Sequence, residues 1–143
     1  MDVTAPLNCT CLGLRKAARA VTQMYDEALR PSGLRATQLS LLFSVEHGGP
    51  CGITELAKML VMDRTTLTRN LKPLLDQKLL EVIDGPDRRR RPIAITTKGR
   101  NVLARALPLW QEVQTRLAFG LGRTRWRGLL GDLRDTVELA RAE

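Results

Sequence analysis

The stretch from residue 53 to residue 96 constrains the fold more than any other. Two short apolar-periodic runs, ITELAKMLV and MDRTTLTRNLKPLLDQKLL, follow one another across a tight break and lead straight into two β-type runs, LLEVIDG and RPIAIT. In the first run Ile53, Leu56, Ala57 and Leu60 fall on one side, and in the second Leu67, Leu71, Leu74 and Leu75 form an inward stripe, the spacing of two amphipathic helices. Asp63 is a good N-cap for the second helix. Pro73 lies inside that helix, where it removes a backbone donor and frees the carbonyl of Arg69, so a kink or a tightened last turn is expected. The two β-runs enclose Gly85 and Pro86 and should pair as an antiparallel hairpin. The sequence IDGPDRRRRPIAIT then puts four consecutive arginines, Arg88 to Arg91, at the hairpin tip and on its return strand.

Around this segment the chain reads as helices. From Leu12 to Leu29 the positions Leu14, Ala17, Ala18, Val21, Met24, Tyr25 and Ala28 recur at three and four, predicting a helix with one buried face that RPSG ends. A second helix follows in RATQLSLLFSVEHGG, capped by Thr37 or a neighbour and stopped by Gly48-Gly49-Pro50. After the hairpin, Thr96 or Thr97 caps a long helix with Val102, Ala106, Leu109, Trp110, Val113 and Leu117 on one face, and Pro108 should bend it. A last helix from about Arg125 carries Trp126, Leu129, Leu130, Leu133, Val137 and Ala140. The fold class is therefore mainly α with a small β-hairpin, and 143 residues without internal repeats read as one domain.

The net charge is +8, and residues 61 to 100, with ten basic and five acidic side chains, hold +5 of it. That bias favours a polyanionic partner. Two short helices joined by a tight turn, the second basic at its N-terminal end, describe a helix-turn-helix whose outward residues are Arg64, Thr65, Thr66, Thr68 and Arg69. Arginine can donate two hydrogen bonds to guanine, while threonine can bond a phosphate or touch a thymine methyl. The hairpin is then a wing whose arginines suit the minor groove. An arginine run taken alone is more often a solvated turn, and a nuclear-localisation reading is weaker still; the adjacency of helix pair, wing and charge carries the argument. Enzyme chemistry finds little support. His47 with Cys51 is the sole nucleophile and base pair on offer, four residues apart in a turn. No metal site is expected from one histidine, and no cofactor.

The chain resembles the MarR family of bacterial winged helix-turn-helix transcriptional regulators over nearly its full length. The matching stretches are LRPSGLRATQLSLL, ITELAKMLVMDRTTLTRNLKPLLDQKLL and DRRRRPIAITTKGR. In the last, Asp87, Arg88 and Arg89 occupy the family's Asp-Arg-Arg positions, and Ile95, Thr96 and Gly99 the later Leu-Thr-x-x-Gly positions. The resemblance implies a single MarR-like domain over 1–143, with a winged helix-turn-helix at 35–96 and dimerisation helices at 12–30 and 97–143. It implies a homodimer over a palindromic operator in double-stranded DNA, acting in the bacterial cytoplasm. The apolar stripes of the last two helices, with Trp110 and Trp126, independently offer more apolar surface than a small winged domain can cover. A coiled-coil tail competes for those helices, but Pro108 and Gly128 argue against a long seam. In such wings Asp87 braces an arginine so that its neighbour points into DNA; Asp87 and Arg89 are assigned to bracing and minor-groove contact, and Arg90 and Arg91 join them at the DNA surface. An architectural or nucleoid-associated protein with little sequence preference is the competing reading.

Members of this family release DNA on binding a small aromatic or phenolic compound or on cysteine oxidation, which draws attention to NCTCLGLRKAAR. Cys9 and Cys11 lie at or just before the start of the first helix, where unpaired N–H groups and Arg15 and Lys16 favour a thiolate. A sulfenic acid there can join a thiol of the other subunit, whereas a Cys9–Cys11 ring in one chain is strained. The alternative is that both are small packing residues of the interface. Tyr25, the sole tyrosine, lies fourteen positions beyond Cys11, about 21 Å along a straight helix, so a tyrosine near the thiol has to come from the partner subunit. Three cysteines make no disulfide framework, and the N-terminal stretch lacks a basic region followed by a hydrophobic one.

Overall fold

The computed structural model describes residues 1–87 and 90–142. A 3-10 turn at Pro6–Asn8 leads into α1 (Thr10–Leu29), followed by α2 (Ala36–Gly48), α3 (Ile53–Met59), α4 (Arg64–Asp76), β1 (Leu80–Val82), β2 (Ile93–Ile95), α5 (Thr97–Leu121) and α6 (Arg123–Arg141). The order expected from the sequence is the order found.

The core gathers around α2. Leu39, Leu41, Leu42 and Val45 are buried along one broad face of this helix, which packs on α1, α3, α4, α5 and β2. Thr37, Ser40 and His47 on the opposite face are exposed, so the helix turns a wide apolar arc inward and keeps a polar side in water. Leu29, Leu56, Leu67, Leu71, Leu74, Leu80, Ile93 and Ala106 close around it. Burying one such leucine stabilises the fold by about 1.5–3 kcal/mol. Of the expected caps for α2, Thr37 or a neighbour, it is the neighbour Gln38 that serves, joined by a side chain of α1. Thr37 does not cap it; the Ala36 amide donates to Asp26 Oδ1 of α1 at 2.7 Å and the Arg35 amide donates to Gln38 Oε1 at 3.0 Å. A carboxylate brought in by α1 thus ties the two helices together where orphan amides need acceptors.

The turns of the helix-turn-helix are fixed by backbone bonds. After α3, Met62 N–H donates to Ala57 O (2.9 Å) and Val61 N–H to Lys58 O (3.2 Å); after α4, Leu79 N–H donates to Leu74 O (2.9 Å) and Lys78 N–H to Leu75 O (3.0 Å). Both are Schellman closures, which place one residue in the left-handed region, usually glycine. Here those residues are Val61 (φ 54°) and Lys78 (φ 58°). For a β-branched side chain that conformation costs about 1–2 kcal/mol, held in place by the paired bonds. Pro73 stays within a continuous α4, and the Lys78 bond tightens its last turn.

The hairpin pairs antiparallel in the register Leu80↔Ile95, Glu81↔Ala94, Val82↔Ile93. Cys51, from the loop after α2, adds a one-residue bridge, exchanging two backbone bonds with Ile93. The wing is therefore anchored to the loop that precedes α3. Thr96 caps α5: its hydroxyl accepts from Gly99 N–H at 2.9 Å and donates to Lys78 O at 2.6 Å. Pro108 likewise lies inside an unbroken α5. Helix α6 starts at Arg123, after Gly122 in the left-handed region (φ 84°), and buries no residue against its own chain.

Candidate nucleic-acid interface

Asp63 fixes where α4 begins. Its Oδ2 accepts from the Thr66 hydroxyl at 2.7 Å and its Oδ1 from the Thr66 amide at 2.8 Å, and these bonds hold its carboxyl below the ordinary value of 3.8. With that start set, Leu67, Leu71 and Leu74 turn inward, and Arg64, Thr65, Thr68 and Arg69 line one exposed cleft with Lys72, Leu75 and Asp76. Thr66, expected to face outward, is half-buried with its hydroxyl on Asp63. The Thr68 hydroxyl donates back to Arg64 O at 2.8 Å. The strong outward donors are therefore Arg64 and Arg69. Lys72 and Asp76 form a surface pair at 2.8 Å, both well exposed, which adds little stability.

The wing begins with a close approach. A Cβ on Gly85 would collide with the carbonyl of Arg90 and lie 3.1 Å from Pro92 Cδ, so the loop needs glycine there. Asp87 O accepts from Arg90 N–H at 2.9 Å, and Ile83 N–H donates to Pro92 O at 2.9 Å, which carries the ladder one step past the strands. Arg90 and Arg91 are exposed and line one cleft with Asp84 and Gly85. They line a second with Thr54, Glu55, Lys58 and Arg64. Arg88 and Arg89 lie outside the described residues. The fold thus brings Arg90 and Arg91 to the same groove as Arg64, and all three open to solvent on one side of the molecule.

Two cations that the sequence did not single out join them. Lys58 and Arg141 share a cleft with Thr54, Val61, Asp63 and Arg64. Lys58 and Arg141 fall outside the basic stretch from 61 to 100, and only folding brings the end of α6 beside the helix-turn-helix.

The other singled-out residues lie elsewhere. Cys9 is the N-cap residue of α1 and Cys11 its second residue, both exposed. Tyr25 is half-buried against the core, and burial pushes its hydroxyl pKa up. His47 Nδ1 lies 2.9 Å from Phe43 O, and its ring packs edge-on against Phe43, which in turn meets Trp110 edge-on. That is a packing role. Cys51 is a buried core residue whose thiol is held above its ordinary value by burial and by the Glu55 carboxylate. Among the described residues no group of three or more His, Cys, Asp or Glu side chains is arranged to hold a metal ion, and no helix is long and apolar enough to cross a membrane.

A profile of the MarR family matches residues 32–91. The M. tuberculosis transcriptional regulator MosR, in a crystal structure with DNA, is 40% identical, with 94% of this chain and 99% of that one covered and a TM-score of 0.81. The transcriptional repressor CouR bound to a 23-mer DNA duplex is 27% identical over 96% of this chain and 98% of that one, with a TM-score of 0.83. CouR bound to p-coumaroyl-CoA is 25% identical over 100% and 99%, with a TM-score of 0.82. The uncharacterized HTH-type transcriptional regulator YwoH of Bacillus subtilis is 28% identical over 86 residues, which are 60% of this chain and 63% of that protein. The match to YwoH therefore spans just under two thirds of that relative.

Proposed function

The chain belongs to the MarR family, and from that premise we propose that it is a transcriptional repressor that binds a palindromic operator in duplex DNA as a homodimer. The observation that carries this reading is the shared groove: Arg64, at the start of α4, and Arg90 and Arg91, on the return of the wing, line the same exposed cleft. Helix α4 enters the major groove, where Arg64 and Arg69 read base edges and Thr65 and Thr68 meet phosphates or thymine methyls. The wing arginines, Arg88 to Arg91, reach the adjacent minor groove with Asp87 bracing one of them. MosR, crystallised with DNA, and CouR, bound to a 23-mer DNA duplex, support duplex DNA as the partner.

Sequence specificity separates a regulator from a packaging protein. Affinity for a palindromic promoter fragment and for scrambled DNA, compared at several salt concentrations, should differ by ~10³ or more. A ratio that collapses toward one identifies an architectural protein instead.

For the signal, the exposed pair Cys9 and Cys11 at the N-terminus of α1 supports thiol oxidation. A thiolate attacks peroxide to give a sulfenic acid and hydroxide; a thiol of the partner subunit then displaces water to form a disulfide. Peroxide should release DNA from the wild type and leave Cys9→Ser and Cys11→Ser bound. Wild type that holds DNA in peroxide makes these thiols structural. The CouR complex with p-coumaroyl-CoA supports an aromatic effector as the second route, which titration of the oxidant-insensitive variants with small aromatic acids addresses.

A further inference from the structure

The cleft that joins the wing to α3 and the cleft that joins α6 to the helix-turn-helix share Thr54, Lys58 and Arg64, so they adjoin at these residues and together make a trench from the wing to the end of α6. Its cations come from four elements: Arg90 and Arg91 from the wing, Lys58 from α3, Arg64 from α4 and Arg141 from the last turn of α6. Two carboxylates, Glu55 and Asp63, also line it. Asp63 has both oxygens on Thr66. Five cations against two acids give the lining of the trench a net positive charge.

The charge pattern selects the occupant. Lys58, Arg64, Arg90, Arg91 and Arg141 are all exposed, so a small anion held by any two of them would stay hydrated and bind weakly. A polymer carrying one charge per ~1.7 Å of axis meets all five at once and releases counterions at each contact. We propose that the trench is a track for the phosphates of one DNA strand, passing from the wing over α3 to the end of α6, with Lys58 and Arg141 as backbone contacts. This rests on the reading of the chain as a DNA-binding regulator and adds to it: the C-terminal turn of a helix otherwise given to dimerisation is part of the DNA footprint. Arg64, at the junction of the trench with the cleft along α4, stands where backbone contact passes into base contact.

An arginine in the last turn of a helix is ordinarily explained by the negative end of the helix dipole. That explanation predicts a change in stability on substitution and none in the salt dependence of DNA binding. The two are separated by measuring DNA affinity from 50 to 200 mM salt for wild type, Lys58→Ala, Arg141→Gln and Arg141→Lys, on operator and on scrambled duplex. Arg134→Ala, an exposed position of α6 outside the trench, is the control. Each lost phosphate contact lowers the slope of log K against log salt by about 0.9, and two copies per dimer make the four-fold salt change about twelve-fold less damaging to the variant than to wild type. The loss should be equal on both duplexes, and Arg141→Lys should restore the slope. Slopes for Lys58→Ala and Arg141→Gln that match wild type, while Arg64→Ala flattens, overturn the track. Sedimentation showing that Arg141→Gln disrupts the dimer overturns it for Arg141. Wild type that binds neither duplex removes the parent reading itself.

Discussion

Gly99 has no room for a side chain. A Cβ there would run into the backbone carbonyl of Leu79 and stand 2.8 Å from Ile95 Cγ1. A carbonyl in a closed turn cannot rotate away, so Gly99→Ala should destabilise by about 3 kcal/mol, the upper end of the range for overpacking. Urea unfolding checks this: the midpoint falls with the m-value unchanged, and an unaltered midpoint would mean that α5 slides off the turn between α4 and β1 without cost. The wing signature was legible as a family pattern, but its physical cause, a helix start pressed on that turn, appears only in three dimensions. Thr96 was legible as a cap from its type and place. The inward turn of Thr66 was not, because an outward position on the helical wheel is overruled by the carboxylate of Asp63 three residues earlier. The Asp26 cap on α2 was invisible for a related reason: its partner lies ten residues away, across a turn.

At the scale of elements, the start of α4 depends on an ionised side chain. The carboxyl of Asp63 is lowered by the Thr66 hydroxyl and then by the Thr66 amide, so its folded pKa lies below its unfolded value near 3.8. The stability it supplies is complete above that value and is lost as pH falls through the folded one. Asparagine caps a helix nearly as well but carries no charge. The melting temperature of wild type should therefore exceed that of Asp63→Asn by a constant margin from neutral pH down to about 5, and the margin should shrink as pH drops through 3.8. A margin that widens in acid would reverse the sign and remove the charge from the cap. Helix existence, order and the hairpin were legible because apolar spacing encodes them directly. The third, one-residue rung at Cys51 was not, since a single bridge leaves no alternation to read. Nor was the left-handed Val61: the sequence offers no glycine where the turn of the helix-turn-helix needs a positive φ.

At the scale of the whole molecule, the helices split into a covered set and an uncovered one. Every helix from α2 to α5 buries residues in the core, whereas α6 buries none, and α1 buries Leu29 alone. The single buried face expected of α1 thus meets its own chain only near the C-terminal end. On α6, Leu129, Leu133 and Val137 recur every four residues with about two fifths of their surface exposed, and Leu12, Leu14 and Phe119 are exposed on α1 and α5. Apolar stripes this long on exposed helices are costly to leave in water, and the second copy of the proposed homodimer, related by a two-fold axis, would cover them with the same surface. If that is what holds the dimer, Leu133→Asp with Val137→Asp should sediment as a monomer at concentrations where wild type is dimeric, with helix content by circular dichroism retained because neither side chain belongs to the protomer core. Operator affinity should fall by ~10²-fold or more, since two half-sites joined through one dimer bind with an effective concentration that separate protomers lack. Affinity for scrambled DNA, carried by each protomer's own cations, should fall far less. A double variant that stays dimeric places the interface elsewhere on the molecule, and a monomer that keeps full operator affinity separates recognition from pairing.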